Sequence, residues 1–345
     1  MISLRRGRRR HPVWPGDRPP RVGLPAALLA YKYAPLWRGF LEALPCEVVV
    51  SPPTTKAILF QGVRTTVDDL CIPVKAFIGH CLHLRDAGVD ALLVPRVISV
   101  ERSAKARFSC PKFIGLPDMT RALLGEPPLI LDVDHHLRER SLESTFLELG
   151  ARLGFGRRTA RAAFAVAEAQ QSAFAAAVAA GEDFHAAAGL RGGRRGPGAA
   201  APAAAGGPAI GLVAHEYLVF DDFLSVGLSR RLAGLGARVE LCTQVPAAAI
   251  EAELAGIGEV SWSYERQLLG AVGHFLGRKD VDGIVFLTSF ACGTFAVVSE
   301  LIERELRQGR RKPILYLTVD ELTGEAGLQT RLESFCDMLA ARVSS

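Results

Sequence analysis

The sequence has 345 residues, 49% hydrophobic and 22% charged, ordinary proportions for a globular protein and enough chain for two domains with their own cores. Its formal net charge of +5 is local: the first ten residues, MISLRRGRRR, carry five arginines and no acid, so the rest of the chain is close to neutral. That distribution argues against a nucleic-acid-binding body, which needs a basic stripe on a folded face, and no stretch reaches the ~18 uncharged apolar residues of a membrane-spanning helix.

Residues 1–20, rich in Arg and Pro without an apolar period, read as a disordered basic tail. The run GLPAALLA after it imitates a secretion signal, but it is short and Lys32 follows at once, so a cytoplasmic location is expected. Strand–helix alternation then begins. RVGL at 21–24 is a strand, 32–44 a helix and EVVVS at 47–51 a second strand; Thr54 or Thr55 can cap a short helix. A helix over 74–87 leads to the strand ALLV at 91–94, with further short strands predicted at 113–116 and 129–133. Residues 142–182 are helix-rich, and the Gly, Pro and Ala of 189–208 form a linker that cannot build a core. The pattern restarts with strands at 210–214, 239–242, 283–288 and 314–319, and helices at 221–235, 264–277, 294–308 and 326–341. The expected organisation is a first α/β domain over 21–141, a helical segment over 142–188, the linker, and a second α/β domain over 209–345. The fold class is thus α/β, with two doubly wound, Rossmann-like parallel-sheet domains facing a cleft, where ligands gather at the carboxyl ends of strands.

Seven scattered cysteines, an odd number without a secretory signal, do not make a disulfide framework. Cys81 and Cys336 fall on apolar helix stripes, and Cys46 and Cys242 lie at strand edges among apolar residues, so all four read as small buried hydrophobes. Cys71, Cys110 and Cys292 differ. Cys71 precedes Pro73 at a helix start, Cys110 precedes Pro111 in a loop, and Cys292 follows the strand GIVFLT before a helix that Thr294 can cap. Free N–H groups at helix starts favour anions and lower a thiol's pKa, as thiolate ligation of a metal requires. There is no C-x₂-C pair, so placement alone leaves metal ligands and ordinary loop thiols both open.

Several segments carry a family resemblance: VGLPAALLAYKYAPLWRGFLEAL, EVVVSPPTTK, CIPVKAFIGH, SCPKFIGLPD, IGLVAHEYLVFDDFLS, TSFACGT and LTVDELTGEAGLQTRLESFCDML, in order over about residues 21–340. The chain resembles the acyl-CoA dehydratase activase-related proteins, relatives of the 2-hydroxyacyl-CoA dehydratase subunits. The resemblance implies a [4Fe–4S] cluster held by Cys71, Cys110 and Cys292, with the fourth iron left to a non-cysteine ligand. It further implies a redox or accessory role in a dehydratase-like system fed by an ATP-driven activator, with an acyl-CoA or other small substrate. The alternative is a structural cluster in a non-catalytic assembly partner. Five positions depart from the resembling pattern. His215-Glu216-Tyr217 stands for His-Pro-Tyr, and Ala291 for the Gly before the third cysteine. Thr294 and Phe295 stand for Pro and Asp, and Asp320-Glu321-Leu322 for Asp-Glu-His.

Other residues are candidates for the cluster's surroundings. His215 follows a strand and can donate to a cluster sulfur; Lys75 and His80, on the helix after Cys71, can balance its charge or simply be surface residues. Asp320, Glu321, Thr323, Gly324 and Glu325 form a strand-to-helix turn that either approaches a ligand or merely caps the helix. DVDHH at 132–136 has hard-metal residue types but no third ligand, and reads as a solvated loop. No Walker loop and no Asp-Gly-Gly-Ser/Thr phosphate loop is visible, so the chain is not expected to be an ATPase itself.

Overall fold

The computed structural model describes residues 18–103, 105–126, 128–182, 184–188, 207–309 and 312–343. Almost all of the expected basic tail and linker lies outside the described residues.

The first half runs β1 (Arg21–Leu24), α1 (Ala30–Glu42), β2 (Glu47–Val50), α2 (Lys56–Thr65), α3 (Ile72–Asp86), β3 (Ala91–Ser99), α4 (Pro111–Ile114), α5 (Leu116–Leu123) and β4 (Leu129–His136). Three helices follow, α6 (Leu142–Arg152), α7 (Arg157–Ala179) and α8 (Phe184–Ala187). The second half runs β5 (Ala209–Val213), α9 (Glu216–Val219), α10 (Leu228–Gly234), β6 (Arg238–Leu241), α11 (Ala247–Leu254), α12 (Ser263–Gly277), β7 (Gly283–Ser289), α13 (Gly293–Leu301), β8 (Ile314–Val319) and α14 (Glu325–Val343). Each half builds a four-stranded sheet, ordered β2-β1-β3-β4 and β6-β5-β7-β8, with every pairing parallel. The two halves therefore share one doubly wound topology. The chain reverses direction across the sheet beside β1 and β3, and again beside β5 and β7, and a crevice opens at each point.

The central strands are apolar throughout, as burial on both faces demands: β5 and β7 have no exposed residue. One apolar core joins the sheets, running from Val22 and Phe40 through Phe146 and Phe164 to Leu212, Leu317 and Leu339. A smaller cluster around Phe275 and Phe286 fills the far side of the second sheet. Where α2 crosses α3 the backbones touch: a methyl group on Gly62 would sit 1.8 Å from the Lys75 carbonyl oxygen, and one on Gly79 2.0 Å from that of Ile58. Only glycine permits that approach, and it fixes the helix that begins at Cys71. Among the described residues no helix is long and apolar enough to cross a membrane.

Four local expectations are corrected. Residues 113–116 belong to helices, not a strand, because Pro111 and Pro117 occupy first-turn positions where a missing N–H costs nothing. The helix expected over 221–235 is interrupted, since Val226 and Gly227 take left-handed backbone angles just before α10. The helix after Cys292 gives way at Ile302 to a π-helical turn. DVDHH is no solvated loop: it lies in β4, where Asp132 and Asp134 pair with Arg96, Arg121 and Arg152, and His135 is buried.

Candidate metal centre between the two sheets

The crevices of the two halves face each other, and the three singled-out cysteines meet there. Cys71 is the N-cap of α3, Cys110 of α4 and Cys292 of α13, and none uses its side chain as a cap. Instead all three line one enclosed pocket with Leu28, Val74, Phe113, Tyr217, Glu265 and Thr294. All seven cysteines are free thiols. Cys110 and Cys292 occupy matching places, each beyond the third strand of its own sheet, so the internal repeat brings two of the thiols together.

Three ties set the loops against one another. Lys112, two residues past Cys110, donates from Nζ to the Ala291 carbonyl at 2.9 Å and to that of Asp69 at 3.5 Å. One ammonium thus clamps the turns that lead into Cys292 and Cys71. Phe108 forms a parallel bridge with Trp262: its N–H donates to the Ser261 carbonyl at 2.7 Å, and its own carbonyl accepts from the Ser263 N–H at 2.9 Å. That bridge holds the approach to Cys110 beside the start of α12. The third tie is the α2–α3 contact beneath Cys71. Backbone strain collects here as well. Leu28 and Ala291 both adopt left-handed conformations, with φ of 50° and 60°, that disfavour any residue with a Cβ.

The pocket contains an acid. Glu265, in the first turn of α12, is 2% exposed. Its Oε1 accepts from the Thr294 hydroxyl at 2.5 Å and lies 3.7 Å from His215 Nε2. Its Oε2 and His215 Nε2 are both buried without a hydrogen-bond partner. His215 is the N-cap of α9, and its ring stacks on Tyr217 at 4.9 Å. Desolvation works to lower the imidazole's pKa, but the adjacent Cys292 and the charge of Glu265 outweigh it and hold it above the ordinary value. Ligand atoms of His215, Glu265 and Cys292 all lie within 4.8 Å of one another. Such a group, joined by two further thiols, has the donor chemistry of a site for iron or zinc.

Helix-start placement does not lower every thiol's pKa, contrary to the sequence-based expectation. Burial pushes Cys110 up to about 12, the neighbouring charges of Glu265, Cys71 and Cys292 add to the rise, and the Lys112 backbone N–H offsets only part of it. In the metal-free chain that thiol keeps its proton, so metal binding has to release it.

The remaining candidates go elsewhere. Lys75 is no surface residue: it is 2% exposed and its Nζ donates to Glu321 Oε1 at 2.6 Å, across the two halves. His80 is equally buried, bonded to Ser51 at 2.8 Å and Thr54 at 3.0 Å, and takes no place in the pocket. The turn after β8 is held by its own hydrogen bonds and by two outside ion pairs, that of Glu321 with Lys75 and that of Glu325 with Arg231. Asp320 Oδ1 accepts from the Leu322 N–H and the Thr323 hydroxyl, and Gly324 has open space around it. Thr294 caps nothing; α13 starts one residue earlier and its hydroxyl serves Glu265. Cys81 and Cys336 are buried in the main core, Cys242 donates its S–H to the Ala214 carbonyl at 3.2 Å, and Cys46 is half-buried. Sequence reasoning missed Glu265, Lys112 and Tyr217. Lys112 stood in the resembling segment SCPKFIGLPD; Glu265, in SWSYERQ, carried no signal at all.

Residues 21–244 match the family described as the CoA enzyme activase uncharacterised domain (DUF2229). The chain belongs to this family. The match takes in Cys71, Cys110 and His215 and stops short of Glu265 and Cys292. No curated protein matches the chain. Two departures of this activase-related protein acquire a physical setting. Glu216, standing for proline, forms a half-buried ion pair with Lys32 across the halves. Ala291, standing for glycine, is forced into glycine's conformation.

Proposed function

We propose that this protein holds a [4Fe–4S] cluster on Cys71, Cys110 and Cys292 and serves as a redox or accessory component of a 2-hydroxyacyl-CoA dehydratase-like system, accepting an electron from an ATP-driven activator. The observation that carries the reading is the meeting of three thiols, from three loops and both sheets, in one enclosed pocket. When bound, the cluster would supply one-electron chemistry. The chain's own part is to present the thiols at helix starts, where backbone N–H groups face an anion, and to keep water out with Leu28, Val74 and Phe113. Lys112 fixes the spacing of the loops. Phe290 and Leu322, 64% and 85% exposed at the carboxyl ends of β7 and β8, offer apolar surface for a protein partner beside the site. The work would take place in the cytoplasm, on an acyl-CoA or other small substrate, with ATP hydrolysis left to the activator.

A second reading, a structural cluster in an assembly partner, draws support from the same enclosure, because thiols from both halves would staple them together. The test is anaerobic reconstitution followed by iron analysis and visible absorbance. The wild type should carry about four iron per chain. Cys71→Ser, Cys110→Ser and Cys292→Ser should each lose or convert the cluster, and Cys81→Ser and Cys336→Ser should keep it. Colourless wild-type protein, or iron loss confined to Cys81→Ser, refutes the assignment. A catalytic cluster should change its electron paramagnetic resonance signal when an acyl-CoA is added; a structural one should not.

A further inference from the structure

We propose that Glu265 is the fourth protein ligand of the metal centre, its Oε2 binding the iron that the three thiolates leave open. This rests on the cluster reading above and names what closes it. The carboxyl group lines the same pocket as the three thiols. Its two oxygens are not equivalent. Oε1 is engaged, accepting from Thr294 and facing His215, while Oε2 is buried with no partner. A buried oxygen without a hydrogen-bond partner, beside three thiols, is the donor that a metal ion there would complete. His215 Nε2, also buried without a partner, lies 3.7 Å from the engaged oxygen and outside the pocket's lining, whereas Glu265 shares that lining with all three thiols. A hard oxygen donor at a single corner of an otherwise thiolate-held cluster also makes that iron chemically distinct.

The experiment compares reconstituted wild type, Glu265→Gln, Glu265→Ala and, as a folded control, Cys336→Ser. Each is treated with ferricyanide, which takes one electron from a [4Fe–4S]²⁺ cluster as one Fe²⁺ departs and leaves [3Fe–4S]⁺. Iron release and the three-iron electron paramagnetic resonance signal are followed together. Glu265→Ala and Glu265→Gln should release the fourth iron about tenfold or more faster than wild type and Cys336→Ser. Formate, the smallest carboxylate, should slow that loss in Glu265→Ala, where truncation leaves room for it, and chloride at equal ionic strength should not. Glu265→Gln keeps the side chain's shape and its bond to Thr294, so it reports even if the alanine variant misfolds. Release at the wild-type rate in both variants, or a loss from Glu265→Ala that formate does not slow, overturns the assignment. Wild type that binds no iron, or a single metal ion without cluster absorbance, instead refutes the cluster itself.

Discussion

Two buried polar regions lie between the halves of this protein, and they differ in one respect. Along the first, every group is answered. Lys32 meets Glu216 and Lys75 meets Glu321. Ser51 donates to His80 Nδ1, His80 Nε2–H donates to Thr54, and Thr54 donates to Asp221 Oδ2 at 2.5 Å. The other Asp221 oxygen accepts from the N–H groups of Phe223 and Leu224. In the second, the cysteine pocket, Glu265 Oε2 and His215 Nε2 remain open and Leu28 and Ala291 are strained. Buried polar groups are normally satisfied because an orphan costs its full desolvation. The answered seam therefore needs nothing further to explain it, whereas the pocket is built for something that completes it.

Breaking the seam should cost most. Glu321→Gln strands the Lys75 ammonium, whose side chain is 3% exposed, and should destabilise by about 3–5 kcal/mol in urea unfolding. Lys75→Met should cost less, because Glu321, 21% exposed, can turn to water. The reverse order would mean that the carboxylate is the trapped partner.

The Ser51–Asp221 relay gives a signed pH effect. Burial pushes Asp221 up to about 6 from 3.8, so the native state holds its proton more tightly than the unfolded chain. The contribution of Asp221 to stability is then greatest below about pH 4 and falls as pH rises to about 6, by roughly 3 kcal/mol. His80 runs the other way. Burial pushes it down to about 3 from 6.5, so its contribution is present above 6.5 and is lost as pH falls. The two slopes oppose one another in the wild type. Asp221→Asn should gain stability relative to wild type by about 2 kcal/mol between pH 4 and pH 6, seen in parallel urea titrations. A constant difference across that range would show that Asp221 titrates normally.

The smallest effect sharpens the pocket's side of the comparison. Ala291→Gly should relieve the left-handed strain at φ 60° and raise stability by up to about 1 kcal/mol, the cost of an L-residue there less glycine's extra chain entropy. It should leave iron content unchanged. Destabilisation would mean that the Ala291 methyl group makes a contact worth more than the strain.

Much of the fold was legible because it is locally encoded. GIVFLT and ILYLTV are apolar runs of strand length, and Thr55 caps α2 through the Ile58 N–H as its position promised. Errors fell where short-range signals conflicted. Phe113–Leu116 is apolar like a strand, but flanking prolines turn it into helix starts. Helix periodicity marked Cys81 and Cys336 as core residues, and both are buried; Cys46, read as buried, is half-buried, and Cys71, read as a loop thiol, packs into the core. Lys75 and His80 were misjudged because charge and polarity suggest exposure, and the partners that bury them come from the other half of the chain or from an adjacent loop.

The sequence by itself determined the alternation of strands and helices, the repeat of one topology in two halves, and the helix starts at Cys71 and Cys292, though not the one at Cys110. Those features follow from contacts a few residues apart, where backbone preference and apolar period decide. Only the tertiary structure decided that Cys71, Cys110 and Cys292 share a pocket, that Lys112 clamps two of their turns, and that Glu265 joins them with one oxygen free. The docking of two sheets across a common core places Cys71 and Cys292 together, and no local rule relates a thiol to a carboxylate more than 150 residues further along the chain, as Cys110 and Glu265 are related here.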